Sequence, residues 1–214
     1  MGKKPPAQEQ GVIINAEREP APGNPHSWLV LTGDPPGTSG TRILYGVLRP
    51  TYRGWQNSAA AFARAKINVK PADCGNPWAL TAARAEVLLP ADADDRFLSP
   101  RVLIEALDEE RPPERPVLLT YVTITFATSR LHQQYELVRA FAMAKLVRAF
   151  GLAVLLVQHA PHRAANSNLP HVHLLFSREV TSLGLAGYIV SFCGDKGRDL
   201  IVAAFREFEA EWSA

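Results

Sequence analysis

The chain has no run of apolar residues approaching the roughly 18 to 20 that a membrane-spanning helix needs. Its first residues, MGKKPPAQEQ, hold no signal-peptide core. Both absences point away from membranes and secretion and toward the cytoplasm. Cysteine is scarce: Cys74 and Cys193 are the only two, and they lie far apart. That argues against a disulfide framework and against a cysteine-built metal site, and it fits reduced thiols in a cytosolic protein. Charge of one sign is also missing. A net charge of +2 permits nucleic-acid binding through a local patch but does not argue for it. No internal repeat is visible. What remains is an ordinary globular composition, 47% hydrophobic and 21% charged, in 214 residues that suit one well-packed domain, or one domain plus a tail.

Residues 1–40 are rich in Pro, Gly and charge and read as a flexible N-terminal arm with one strand at Trp28 to Leu31. Residues 41–214 read as the folded domain. TRILYGVL (41–48) is β-like and stops at Pro50. An alanine-rich helix follows over 57–67, with Asn57 or Ser58 as its cap. A short extended piece spans 83–94, and a helix begins at Ser99-Pro100 and ends before Pro112-Pro113. VLLTYVTITFA (117–127) is dense in β-branched and aromatic residues and predicts a strand. Leu131, Tyr135, Val138, Phe141, Ala142, Leu146 and Ala149 recur at helical spacing, with Ser129 to cap and Gly151 to end the helix. Strands at 152–159 and 171–177 and a C-terminal helix complete the chain. The order of elements predicts an α+β domain, an antiparallel or mixed sheet covered by helices.

The chemistry-bearing residues are histidines. Alternate strand residues share a face, so His171 and His173 in LPHVHLLFS point the same way while Val172, Leu174 and Phe176 point the other. His159 closes the preceding apolar strand and reaches the same spot if the two strands are neighbours. Three neutral imidazoles leave a divalent metal with open positions, which is what polarising a bound oxygen requires. A surface pair of histidines is the plainer alternative. His162 is a further candidate in the loop between the strands, whereas His26 and His132 read as ordinary exposed residues.

LVQHAPHRAANSNLPHVHLLFSREV (156–180) resembles the third motif of the MobA/MobL (MobQ-type) plasmid mobilisation relaxases. That motif has a histidine ending a strand, a polar loop, a histidine-hydrophobic-histidine strand and a Ser/Thr-Arg-Glu segment. AEVLLPADAD and ILYGVLRPTYRGWQNSAAAFARA are similar to further segments of that family, so the resemblance covers roughly residues 41–180. It implies a HUH relaxase-like fold, an antiparallel sheet of about five strands covered by helices. It also implies Mg or Mn held by His159, His171 and His173, and single-stranded DNA at a plasmid transfer origin as the partner, with accessory mobilisation proteins as further candidates. No membrane is expected, nor the helicase or primase extensions of long relaxases.

The sequence departs from the family at three places. The helix that should carry the nucleophilic tyrosine has none, Phe62 being its nearest aromatic. Gly46 stands where a histidine is usual, and Tyr121, Val122, Thr123 and Thr125 occupy the strand that usually carries glutamates. Tyr52, in a loop beside Arg49 and Arg53, is the substitute nucleophile, and an exposed or base-stacking tyrosine is its other reading. Arg49, Arg53, Trp55, Arg64, Lys66 and Arg178 form the candidate DNA-binding set, with Lys70 and Arg163 beside them, because cations interleaved with aromatics suit phosphate contact and base stacking. Three functions follow: a metal-dependent relaxase that nicks single-stranded DNA, using Tyr52 or an activated water; a degenerate relative that binds origin DNA without cleaving it; and an unrelated metal-dependent hydrolase.

Overall fold

The computed structural model describes residues 11–69, 75–128, 130–161 and 168–212. In chain order the strands are β1 (Val12–Ile13), β2 (Leu31–Gly33), β3 (Thr41–Leu48), β4 (Thr51–Tyr52), β5 (Trp55–Gln56), β6 (Arg84–Leu88), β7 (Leu119–Phe126), β8 (Leu152–His159), β9 (His171–Thr181) and β10 (Gly184–Tyr188). The helices are α1 (Ala59–Ile67), α2 (Pro100–Glu109), α3 (Leu131–Ala142), α4 (Arg148–Phe150) and α5 (Lys196–Trp212), with a π-turn at Met143–Val147 joining α3 to α4. The main sheet runs β1-β2-β3-β7-β9-β8-β6, and β10 pairs with β9. All of its pairings are antiparallel. This is the α+β class with an antiparallel sheet of about five long strands, extended by short ones at one edge.

Helices cover both faces, which is why β7, β8 and the first half of β9 are buried almost continuously rather than at alternate positions. One face packs Tyr121, Leu155, Val157 and Leu175 against Phe62 and Ile67 of α1 and Leu103 and Ile104 of α2. The other packs Val122, Leu156, Val172 and Leu174 against Tyr135 and Phe141 of α3 and Phe205 of α5. Strand alternation therefore assigns His159, His171 and His173, in step with Val157 and Leu175, to the face beneath α1.

The placement of α1 is set at its first turn. Ser58 accepts from the Ala61 N–H at 2.9 Å, and the Asp108 carboxylate, near the end of α2, accepts from Ala59 and Ala60 N–H at 2.7 and 2.9 Å. A carboxylate on unpaired amide donors at a helix start stabilises that end. Asp108→Ala is expected to cost about 1–2 kcal/mol, read as a lower urea midpoint; an unchanged midpoint would show that water replaces the carboxylate at no cost.

Several elements differ from the sequence expectations. In the stretch read as an arm, Pro25–Ser27 forms a 3-10 turn and the strand falls at Leu31–Gly33 rather than at Trp28 to Leu31. There the Asn15 side chain donates to the carbonyls of His26 and Leu29 and accepts from the Leu31 N–H, at 2.6, 2.8 and 2.8 Å. The loop holding Tyr52 is a two-residue hairpin, with Arg53 at φ 49° and Gly54 at φ 77°, the left-handed pair that a tight antiparallel turn requires. The long helix after β7 ends at Phe150 with Gly151 left-handed, as its sequence indicates, but passes through the π-turn.

Candidate metal centre

The register of β8 and β9 places His159 opposite His171 and Val157 opposite His173, so two neighbouring strand ends bring three imidazoles together. Their rings lie 4.4–5.0 Å apart between centroids. One nitrogen from each lies within 4.8 Å of the others, and the three could hold a metal ion. The remaining ring nitrogens are all engaged. His159 Nε2 donates to the Lys66 carbonyl at 2.7 Å, and His171 Nδ1 donates to the Leu169 carbonyl at 2.8 Å. His173 Nδ1 meets the Tyr121 hydroxyl at 2.9 Å and Thr123 Oγ1 at 3.0 Å. Because a carbonyl only accepts, the protons of neutral His159 and His171 are committed outward, and His159 Nδ1 and His171 Nε2 carry lone pairs.

His173 Nε2 stands 3.2 Å from His159 Nδ1. Two nitrogens bonded at about 2.1 Å to one ion are about 3.0 Å apart at a right angle and about 3.4 Å apart at a tetrahedral one. The observed spacing lies between these, so this pair of nitrogens fits a single cation.

Burial favours the neutral, ligating form of every ring. It pushes His159 down to about 4 and lowers His171, against the hydrogen bonds to the Lys66 and Leu169 carbonyls that act the other way. It pushes His173, fully buried, well below the usual histidine range. Lys66 is 2% exposed, and burial holds its ammonium well below the ordinary lysine range. Its Nζ lies 5.1 Å and 4.8 Å from the ring centroids of Phe62 and Tyr121.

These groups line a cavity of about 420 Å³ together with Pro25, His26, Thr81, Asn168 and several alanines. Among the described residues no aspartate or glutamate lines it, and neither does any of the chain's five tyrosines. A dication held by three neutral imidazoles there would keep its full charge and draw an anionic oxygen to its open positions.

Of the candidate DNA-binding set, Lys66 lines this cavity and the others do not. Tyr52 and Arg49 line a separate cavity of about 250 Å³ with Thr32, Gly46 and Asp195. Arg53 is tied to Glu19 at 3.3 Å and to the carbonyls of Arg18 and Ala16. Trp55 stacks on Trp28 with centroids 5.9 Å apart, and the Arg64 guanidinium sits 5.9 Å from the Trp78 ring centroid. Arg178, near the other end of β9 from the histidines, donates to the carbonyls of Ala186, Leu185 and Glu110, so it ties β10 and the end of α2 to β9. His162, Arg163 and Lys70 lie outside the described residues.

Sequence reasoning missed His26, which is half-buried rather than exposed and meets the Tyr121 hydroxyl at 2.8 Å through Nε2. Burial, then Lys66 and the neighbouring histidines, pushes its pKa down to about 2. Tyr121 and Thr123 stand two apart on β7, with Thr123 opposite His173, so strand alternation was the signal that could have found them. They put hydroxyls where the relaxase resemblance leads one to expect carboxylates. Gly46 also has a local reason: a Cβ there would stand 2.6 Å from the Val30 carbonyl oxygen and 2.6 Å from Leu29 Cδ1, which leaves no room for a histidine.

No protein-family model matches the chain, and no curated protein matches it. A solved structure described as the molecular basis of vancomycin resistance transfer in Staphylococcus aureus is similar at 20% identity with a TM-score of 0.49, over 60% of this chain and 68% of that one. The chemistry is therefore read from the side chains. Among the described residues, no helix is long and apolar enough to cross a membrane.

Proposed function

We propose that the chain is a relaxase-like protein that engages the phosphodiester of single-stranded DNA at a Mg or Mn centre held by His159, His171 and His173, and nicks the strand there. The observation that carries this reading is the convergence of ligand nitrogens in a cavity that no carboxylate lines among the described residues, which suits an anionic substrate oxygen. The resemblance of residues 156–180 to the relaxase motif supports the choice of a DNA phosphate, with a plasmid transfer origin as its source. When bound, the metal supplies Lewis-acid polarisation of the phosphate oxygen. His159 and His171 hold lone pairs inward because their outer nitrogens donate to the Lys66 and Leu169 carbonyls, and His173 Nδ1 meets the Tyr121 and Thr123 hydroxyls. Lys66 places an amine on the same wall, and Thr81 and Asn168 offer polar groups to the bound strand.

The nucleophile is water or Tyr52. Since no tyrosine lines the cavity, a second reading has its own support: a protein that grips origin DNA through the metal without cutting it. Incubation of the full chain with manganese and a single-stranded oligonucleotide pool, run on a denaturing gel, separates these. A free nick lost in the His171→Ala/His173→Ala variant is the expected result. A protein–DNA band that survives boiling and vanishes in Tyr52→Phe would assign Tyr52 instead. Gel-shift binding with no nick would leave the gripping reading, and neither binding nor nick would refute both.

A further inference from the structure

The N-terminal segment reaches the metal centre through a line of hydrogen bonds. His26 Nε2 lies 2.8 Å from the Tyr121 hydroxyl, which lies 2.9 Å from His173 Nδ1. On its other side, His173 Nε2 faces His159 Nδ1 at 3.2 Å. A phenol has one proton to give, so the line has two arrangements. If Tyr121 donates to His26, it accepts from His173 Nδ1–H, and His173 Nε2 is left as a lone pair toward the centre. If Tyr121 turns and donates to His173 Nδ1, the imidazole proton sits on Nε2 and fills the space a metal needs. Thr123, at 3.0 Å, joins either arrangement, because its hydroxyl both donates and accepts. Without a metal the His159 Nδ1 lone pair, 3.2 Å from His173 Nε2, favours the second arrangement; an acceptor at position 26 favours the first, which is the one a cation needs.

We propose that His26 is a positioning residue of the metal centre: by accepting the Tyr121 proton it biases His173 toward the tautomer whose Nε2 lone pair can take a cation beside His159 and His171. The proposal rests on the reading of those three histidines as a metal site. His26 is itself held, since Asn15 donates to its carbonyl and to that of Leu29 while accepting from the Leu31 N–H. Trp28, two residues on, stacks on Trp55 at 5.9 Å and meets the Phe62 ring edge-on at 6.2 Å. Docking of this segment and metal affinity are thereby linked, and each favours the other.

The test compares the full chain with His26→Leu, which fills the space without an acceptor, and His26→Gln, whose side-chain carbonyl can stand near the place of Nε2. Calorimetric titration with manganese chloride should show affinity about tenfold weaker in His26→Leu and recovered in His26→Gln. Nitrogen-15 NMR of metal-free protein should show a larger fraction of His173 protonated on Nδ1 in the wild type and His26→Gln than in His26→Leu, where His173 lies further toward Nε2–H donated to His159 Nδ1. A merely structural role would lower the melting temperature with His173 unchanged, and that result overturns the proposal, as does wild-type affinity in His26→Leu. If His26→Leu fails to fold, Tyr121→Phe removes the same relay while keeping the ring, and the same two quantities decide. If the wild type binds no manganese, the metal reading fails, while the tautomer comparison still decides whether His26 controls His173.

Discussion

Replacing His171 with alanine is expected to weaken manganese binding roughly 100-fold while leaving the metal-free fold nearly as stable. The magnitude follows from dividing the roughly 10–16 kcal/mol of a four-ligand structural zinc site among its ligands, about 3 kcal/mol each. His171 suits this test because it is the histidine whose loss strands least. Its outer nitrogen holds only the Leu169 carbonyl, in an exposed hydrogen bond that water can replace. His173→Ala also removes a ligand, but it leaves the hydroxyls of Tyr121 and Thr123 buried and short of a partner. Each such group costs about 1–3 kcal/mol, so that variant should lose stability as well as metal. Calorimetric titration beside urea denaturation in chelator separates the two effects. Wild-type manganese affinity in His171→Ala would remove His171 from the centre.

Acidification of the metal-free protein is expected to be strongly destabilising from about pH 6.5 downward. The sign follows from burial. His26, His159, His171 and His173 all have pKa values below the ordinary 6.5 in the folded state. The unfolded chain therefore binds more protons as pH falls. Stability is fully present above 6.5 and is lost below it until the folded values are reached, about 4 for His159 and about 2 for His26. Within that window each histidine contributes a slope of up to roughly 1.4 kcal/mol per pH unit, so several acting together remove several kcal/mol over one or two units. Lys66, also held low by burial, acts with the same sign at higher pH, because the unfolded lysine keeps its proton where the buried one does not. Urea midpoints in chelator at about pH 7.5 and about pH 5.5 test this, and His171→Ala should show a shallower decline. A flat profile between those values would mean that the histidines are solvated.

Much of this molecule was legible in its sequence because the determinants are local. Period-2 alternation in HVHLLFS assigned His171 and His173 to one face, and an apolar run ending in His159 marked β8. Ser58, Ser99 and Pro100 marked helix starts, and Gly151 a helix end, through the backbone geometry that each residue type favours. What those patterns lack is information on pairing across long stretches of chain. Arg178 closely follows the histidine strand in sequence and Tyr52 sits among basic residues before α1, yet Tyr52 lies in a hairpin beside another cavity and Arg178 ties down β10.

By itself, the sequence determined most of the long elements, the face of the histidine strand and the candidate metal triad, since each depends on neighbours within a few residues. Only the tertiary structure decided which groups orient that triad. Lys66 lends its carbonyl to His159 from a helix 93 positions away, and Tyr121 is met by His26 across 95. Such contacts are made by the packing of α1 and the N-terminal segment onto the sheet, and no spacing along the chain encodes them.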